Sequence, residues 1–164
     1  MKTLLLLRHA KSGWKDNGVR DFDRPLNQRG MKAAPAMGKL IRKRKLQPDL
    51  VLSSPAERAR QTTQLVIEAA GLKTELRYDE RIYEAGVARL LEIISQIDDE
   101  VNVAMLVGHN PGFEELQEAL TGEAQALPTA ALACIELNIE KWNKLRARTG
   151  RLEWLATPKE LKPA

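Results

Sequence analysis

The stretch LLLLRHAKSGW, Leu4 to Trp14, sets four leucines directly against Arg8 and His9. A short unbroken apolar run reads as a strand buried on both faces of a sheet. Ending it with a permanent cation and one of only two histidines marks the strand's carboxyl edge as a place for chemistry rather than for core. Two more runs end the same way. DLVLSS, Asp49 to Ser54, is followed one helical turn later by Arg58, and VAMLVG, Val103 to Gly108, runs into His109 and Asn110.

Helical patterns fill the intervals. From about Asn27, Met31, Ala34, Met37, Leu40 and Ile41 recur at helical spacing, with Pro35 inside the pattern. SPAERARQTTQLVIEAAG begins with Ser54 as the expected N-cap, Pro55 at the first helical position and Glu57 completing a capping box, and it stops at Gly71. VARLLEIISQI and GFEELQEALTG read as two further helices, the second ended by Gly122, while TELRY, AALACIEL and RLEWL read as strands. Alternating strands and helices predict a three-layer α/β/α fold around a mainly parallel sheet. The expected organisation is a single domain over 1–158 with a tail at 159–164. In open sheets of this class ligands bind outside the carboxyl ends of the strands, so both histidines and two arginines are expected at one edge.

Composition narrows the setting. The chain has 164 residues, 43% hydrophobic and 29% charged, which suits a globular fold with a sizeable core. Its single cysteine, Cys134, excludes an intramolecular disulfide and is expected to be a buried thiol. No run approaches the ~18 apolar residues of a membrane span, and the opening apolar run is broken too early for a secretory signal. The expectation is a cytoplasmic monomer without membrane contact. A net charge of +4 permits nucleic-acid binding, but no reading motif supports it. The RKRK run, Arg42 to Lys45, is read as a solvated helix end.

The residues converging on the strand ends suit phosphoryl chemistry. Guanidinium groups match phosphate oxygens in charge and geometry. A neutral imidazole is a competent nucleophile at phosphorus, and phosphoryl transfer needs mainly positioning and charge compensation. Two histidines far apart in sequence, with no cysteine set or carboxylate pair beside them, do not form a recognisable metal site, so neither metal nor cofactor is expected.

At this point the motifs match a family. LLLLRHAKSGW resembles the R-H-G/A signature of the histidine phosphatase superfamily, LSSPAERARQT its S-S-P-x-x-R-A-x-x-T segment, VGHNPG its second histidine motif, and DFDRPLNQRG the R-P-L-x-x-x-G that opens its first helix. The R-H-A-K-S form and the short chain resemble the SixA-type branch of phosphohistidine phosphatases, compact members of the phosphoglycerate mutase-like fold without the helical cap insertion. The resemblance implies that His9 is the nucleophile, that Arg8, Arg58 and His109 bind the phosphoryl oxygens, and that Arg24 of R-P-L also faces the phosphate.

Larger members place a glutamate after the third strand to protonate an alcohol leaving group. Glu80 and Glu84 in DERIYEAG are off the usual spacing; Glu84 is the candidate acid. Its omission would favour activated P–N substrates, whose imidazole leaves more readily than an alkoxide. Trp14, Lys11, Ser12, Asn110 and Thr129 are secondary candidates for contacts at the site, while Ser53 and Ser54 read as turn and cap residues. The expected substrate is a phosphohistidine-containing protein. The alternatives are a small phosphate ester handled by the same mechanism, and a non-catalytic module that binds phosphorylated ligands.

Overall fold

A computed structural model describes residues 1–13 and 18–161. Six strands form one sheet: β1 (Lys2–Arg8), β2 (Leu50–Ser53), β3 (Glu75–Tyr78), β4 (Val103–Gly108), β5 (Leu132–Leu137) and β6 (Gly150–Ala156), in the order β3-β2-β4-β1-β5-β6. β1 to β4 are mutually parallel, and β5 and β6 are added antiparallel. Helices α1 (Gln28–Lys43) and α2 (Glu57–Ala70) pack on one face, α3 (Val87–Ser95) and α4 (Gly112–Thr121) on the other. The expected architecture is therefore the observed one, including the absence of a large insertion: eight residues carry the chain from β3 to α3.

The four leucines explain the layering. Leu5 and Leu7 enter the cluster beneath α1 and α2, Leu4 and Leu6 the cluster beneath α3 and α4, and all four are fully buried. Each contributes about 1.5–3 kcal/mol by leaving water. Cys134 is buried in the first of these clusters, as expected. Trp142, also fully buried, packs in the other and donates its indole N–H to the Val101 carbonyl at 2.8 Å.

Some details differ from the sequence reading or go beyond it. Met31 is 45% exposed; the buried stripe of α1 is Gly30, Ala34, Met37, Gly38 and Ile41, so Met31 lies off the apolar face. The helix runs unbroken through Pro35. The N-cap of α2 is Ala56 and makes no side-chain cap; Ser54 lies two residues too early, and its hydroxyl meets the Ala56 N–H and His109 instead. At the other end of the chain, Pro158–Leu161 forms a 3-10 turn and Leu161 packs against the core, within the stretch expected to be tail.

Register places the site. Arg8 of β1 pairs with Gly108 of β4, and Ser53 of β2 with Val107. The ladder continues past the strand ends, His9 N–H donating to the Gly108 carbonyl at 3.0 Å and Ser54 N–H to that of Val107 at 2.9 Å. The loop after β1 is docked just as closely. Asn27 caps α1 through its side chain, and its own N–H donates to the Lys11 carbonyl. A Cβ at Gly30 would stand 2.2 Å from that carbonyl oxygen, so only glycine lets α1 approach here.

Candidate active site

His9 is 7% exposed at the end of β1. Its Nδ1 lies 2.7 Å from the Ala10 carbonyl, which can only accept, so the proton is on Nδ1 and the lone pair on Nε2. Ala10 N–H donates to Thr62 Oγ1, whose hydroxyl donates to the Arg58 carbonyl, tying the histidine turn to α2. Nε2 of His9 faces Nε of Arg58 at 3.4 Å. Burial, then the Arg58, Arg8 and Arg24 charges, push the imidazole down to about 4 despite the opposing Ala10 bond, so it is neutral at neutral pH.

His109 enters from β4, its ring centroid 5.1 Å from that of His9. Its Nε2 lies 2.8 Å from Ser54 Oγ. Ser54 Oγ also accepts the Ala56 N–H at 3.2 Å; where its hydroxyl proton is donated to Nε2, the ring proton of His109 sits on Nδ1. That Nδ1 is buried without a hydrogen-bond partner among the described residues. Burial and then the His9 and Arg58 neighbours push His109 down to about 3.

The expected cations surround this pair. Arg8 donates from Nη1 to the Leu127 carbonyl at 3.0 Å, and its buried Nε has no partner among the described residues. Arg58 donates from Nη1 to the Asp21 carbonyl at 2.7 Å and from Nη2 to Asp21 Oδ2 at 3.1 Å. Arg24 stands further back: it binds Asp21 Oδ1 through Nε and Nη2, and Ser12 Oγ and the Gly13 carbonyl through Nη1.

Asp21 is therefore a hub that sequence reasoning missed. It sits in the 3-10 turn Asp21–Asp23 and also accepts the Tyr83 hydroxyl at 2.6 Å. The Tyr83 bond and the two arginines hold its carboxyl down to about 2. Tyr83 packs edge-on against both His109 and Phe22. No spacing rule marks Asp21 or Tyr83, because each earns its place through contacts between separate loops.

A cleft of about 390 Å³ opens beside His109, lined among others by Asp21, Arg58, Tyr83, Glu84 and His109 itself; His9 and Arg8 lie behind this lining. Glu84 is exposed on its wall with φ 58°, in the left-handed region. Glu80 begins a 3-10 turn away from the cleft lining. Asn110 lines the cleft and donates to Glu114 and to the Leu127 carbonyl. Lys11 is exposed, Thr129 is half-buried in the turn before β5, and Trp14 lies outside the described residues. Among the described residues no group of three His, Cys, Asp or Glu side chains could hold a metal ion. None of the described helices is long and apolar enough to cross a membrane.

The arrangement offers a buried neutral imidazole near Arg8 and Arg58, with Arg24 behind them, a set of groups whose chemistry suits a tetrahedral oxyanion. The family model of the histidine phosphatase superfamily (branch 1) matches residues 4–125. The chain belongs to this superfamily. The structure of a proposed phosphohistidine phosphatase, SixA, from Agrobacterium tumefaciens is 36% identical, with a TM-score of 0.83 over 96% of this chain and 98% of that one, and places the protein in the compact SixA-like branch. A protein histidine phosphatase SixA solved with tungstate shares the fold at 24% identity, with a TM-score of 0.85 over 98% and 99% of the two chains. An uncharacterised protein of Mycobacterium tuberculosis is 40% identical over 105 residues, 64% of this chain and 63% of that protein's length.

Proposed function

We propose that this superfamily member is a phosphatase working through a phosphohistidine intermediate, and that its substrates are phosphohistidine residues of proteins. The observation that carries the reading is the His9 ring: Nδ1–H is committed to Ala10, and Nε2 is left as an unprotonated nucleophile facing Arg58. A site that only bound phosphate would need the arginines but no such lone pair.

In the first step Nε2 attacks phosphorus in line. The bond from phosphorus to the leaving imidazole breaks, and that nitrogen takes the electron pair and then a proton. In the second step water attacks phosphorus of phospho-His9 and releases inorganic phosphate and the free ring. Arg8, Arg58 and the His109 Nδ1–H meet the equatorial oxygens as charge accumulates, and Arg24 adds its field from behind Asp21. Charge compensation in this scheme comes from the protein's own cations.

The substrate class rests on the acid side of the site. Glu84 is exposed, with its backbone in the left-handed region, and no hydrogen bond orients it among the described residues. An ester's alkoxide needs an aimed proton donor, whereas an imidazole does not. The name of the Agrobacterium relative points the same way. Rapid-quench labelling with a phosphorylated-histidine peptide, worked up without acid, tests the scheme: the label is expected on His9, and label elsewhere, or none, overturns it. Parallel rates on an aryl phosphate test the substrate class, since faster turnover of the ester favours the small-ester alternative.

A further inference from the structure

The charge of this chain is sharply polarised. It holds 26 Lys and Arg against 22 Asp and Glu; eight of the cations and none of the carboxylates fall between Arg24 and Pro48, leaving 18 cations against 22 carboxylates elsewhere. The net positive charge of the protein therefore belongs to α1 and its flanks, and the remainder is net acidic.

On α1 these cations form a stripe. Arg29, Lys32, Lys39 and Lys43 recur at helical spacing, all exposed, on the side opposite the buried Gly30, Ala34, Met37 and Ile41. None of them pairs with a carboxylate among the described residues. The helix itself does not account for them. Lys43 complements the negative end of the helix dipole, but Arg29 and Lys32 stand at the positive end, where the first turn has no acidic residue. Neighbouring like charges on one helix face also repel. A stripe that costs the fold stability and gains nothing inside it calls for a counter-charge outside.

The stripe starts at the site. α1 begins one residue after Asn27, whose backbone is hydrogen-bonded to Lys11, two residues beyond His9. Its 16 residues then lead away over about 24 Å. Met31 sits exposed beside the cations, an apolar side chain suited to contact with a protein surface.

We propose that the outward face of α1 is a docking surface for an acidic protein segment, which steers a phosphohistidine-bearing partner to His9. The proposal rests on the protein-substrate reading above. A partner gripped only by its phosphorylated ring would gain little affinity, and a remote charged contact supplies both encounter rate and binding energy.

The test uses two synthetic peptides of about 20 residues, each with one histidine phosphorylated by phosphoramidate and flanked by either about six glutamates or the same number of glutamines. Wild-type protein is expected to favour the glutamate peptide about 10-fold or more in kcat/KM at about 20 mM salt, falling toward parity near about 300 mM as screening shortens the field. In K32E/K39E/K43E the preference is expected to vanish or reverse while turnover of phosphoramidate stays unchanged; the milder K32Q/K39Q/K43Q serves if the reversal impairs folding. Equal preference in wild type and variant, or none in wild type, overturns the proposal. If neither peptide is hydrolysed the catalytic reading fails, and the surface is then judged by fluorescence anisotropy of the unphosphorylated glutamate peptide: wild type is expected to bind it at least about 10-fold tighter than the variant, and equal binding overturns the proposal. Stripe-dependent binding of a labelled oligonucleotide in preference to the glutamate peptide overturns the assignment to a protein partner.

Discussion

Asp21 holds Arg58 twice, by its backbone carbonyl at 2.7 Å and by its carboxylate at 3.1 Å, while Arg58 Nε points at Nε2 of His9. The carboxylate also binds Arg24 and Tyr83, so one side chain from the loop after β1 sets the position of two guanidinium groups and one wall of the cleft. Asp21→Asn keeps the shape and removes the charge. It is expected to lower kcat about 10-fold, since charge-assisted hydrogen bonds contribute about 1.5–3 kcal/mol. Inhibition by inorganic phosphate is expected to tighten, because the arginines lose a competing anion. Steady-state kinetics with phosphate as inhibitor separates these two effects.

Ser54 is expected to act on His109 through its tautomer. In Ser54→Ala the proton on the His109 ring is no longer directed to Nδ1, and kcat/KM is expected to fall about 5- to 10-fold, the worth of one neutral hydrogen bond. Nitrogen NMR of the labelled ring should show Nδ1–H in the wild type and a mixture in the variant.

Removing the proposed nucleophile is expected to be the most severe change. His9→Ala is expected to lose about 10³-fold or more in turnover, and all phosphoenzyme, while still binding phosphate through Arg8 and Arg58. Single-turnover labelling and phosphate titration check the two halves of that statement.

The pH profile follows from the two buried imidazoles. His9 lies at about 4 and His109 at about 3, both below the usual 6.5. After correction for substrate ionisation, kcat/KM is expected to stay level from pH 7 to about 5 and to fall through about pH 4. Stability has the same sign. Between pH 6.5 and 4 the unfolded chain binds more protons than the folded one. The stability contributed by the neutral rings is thus fully present above 6.5 and is lost as pH falls toward 4. Thermal melts across this window should show the decline.

Gly112, the last residue of the second histidine motif, opens α4, and a Cβ there would stand 2.2 Å from the Ala85 carbonyl oxygen. Gly112→Ala is expected to cost about 1–3 kcal/mol in chemical denaturation and to raise KM, because Ala85 and Gly112 both line the cleft.

The strands, the layer order and the edge that carries the site were legible because each rests on local pattern. Leu4–Leu7, Leu50–Leu52 and Ala104–Val107 are apolar on both faces, and parallel strands of that kind must share an edge for the residues that follow them. The motif spacing identified His9, Arg58 and His109, and parallel register brought them together. Ser54 was misread as a helix cap because its local sequence suits that role, and only His109, arriving from another strand, shows what its hydroxyl does. Met31 matched the helical period yet lies off the packed stripe, since a period of 3.6 leaves the edges of an apolar face undefined.

By itself the sequence determined which strands are buried on both faces, where helices begin and end to within a turn, and which chemical groups follow each strand, all of which depend on neighbours a few positions away. Tertiary structure alone decided that Asp21 would gather Arg24, Arg58 and Tyr83, that Glu84 and not Glu80 would reach the cleft, and which nitrogen of His9 carries the proton. Those outcomes depend on hydrogen bonds between loops distant in sequence, and such bonds come into being only when the whole sheet is assembled.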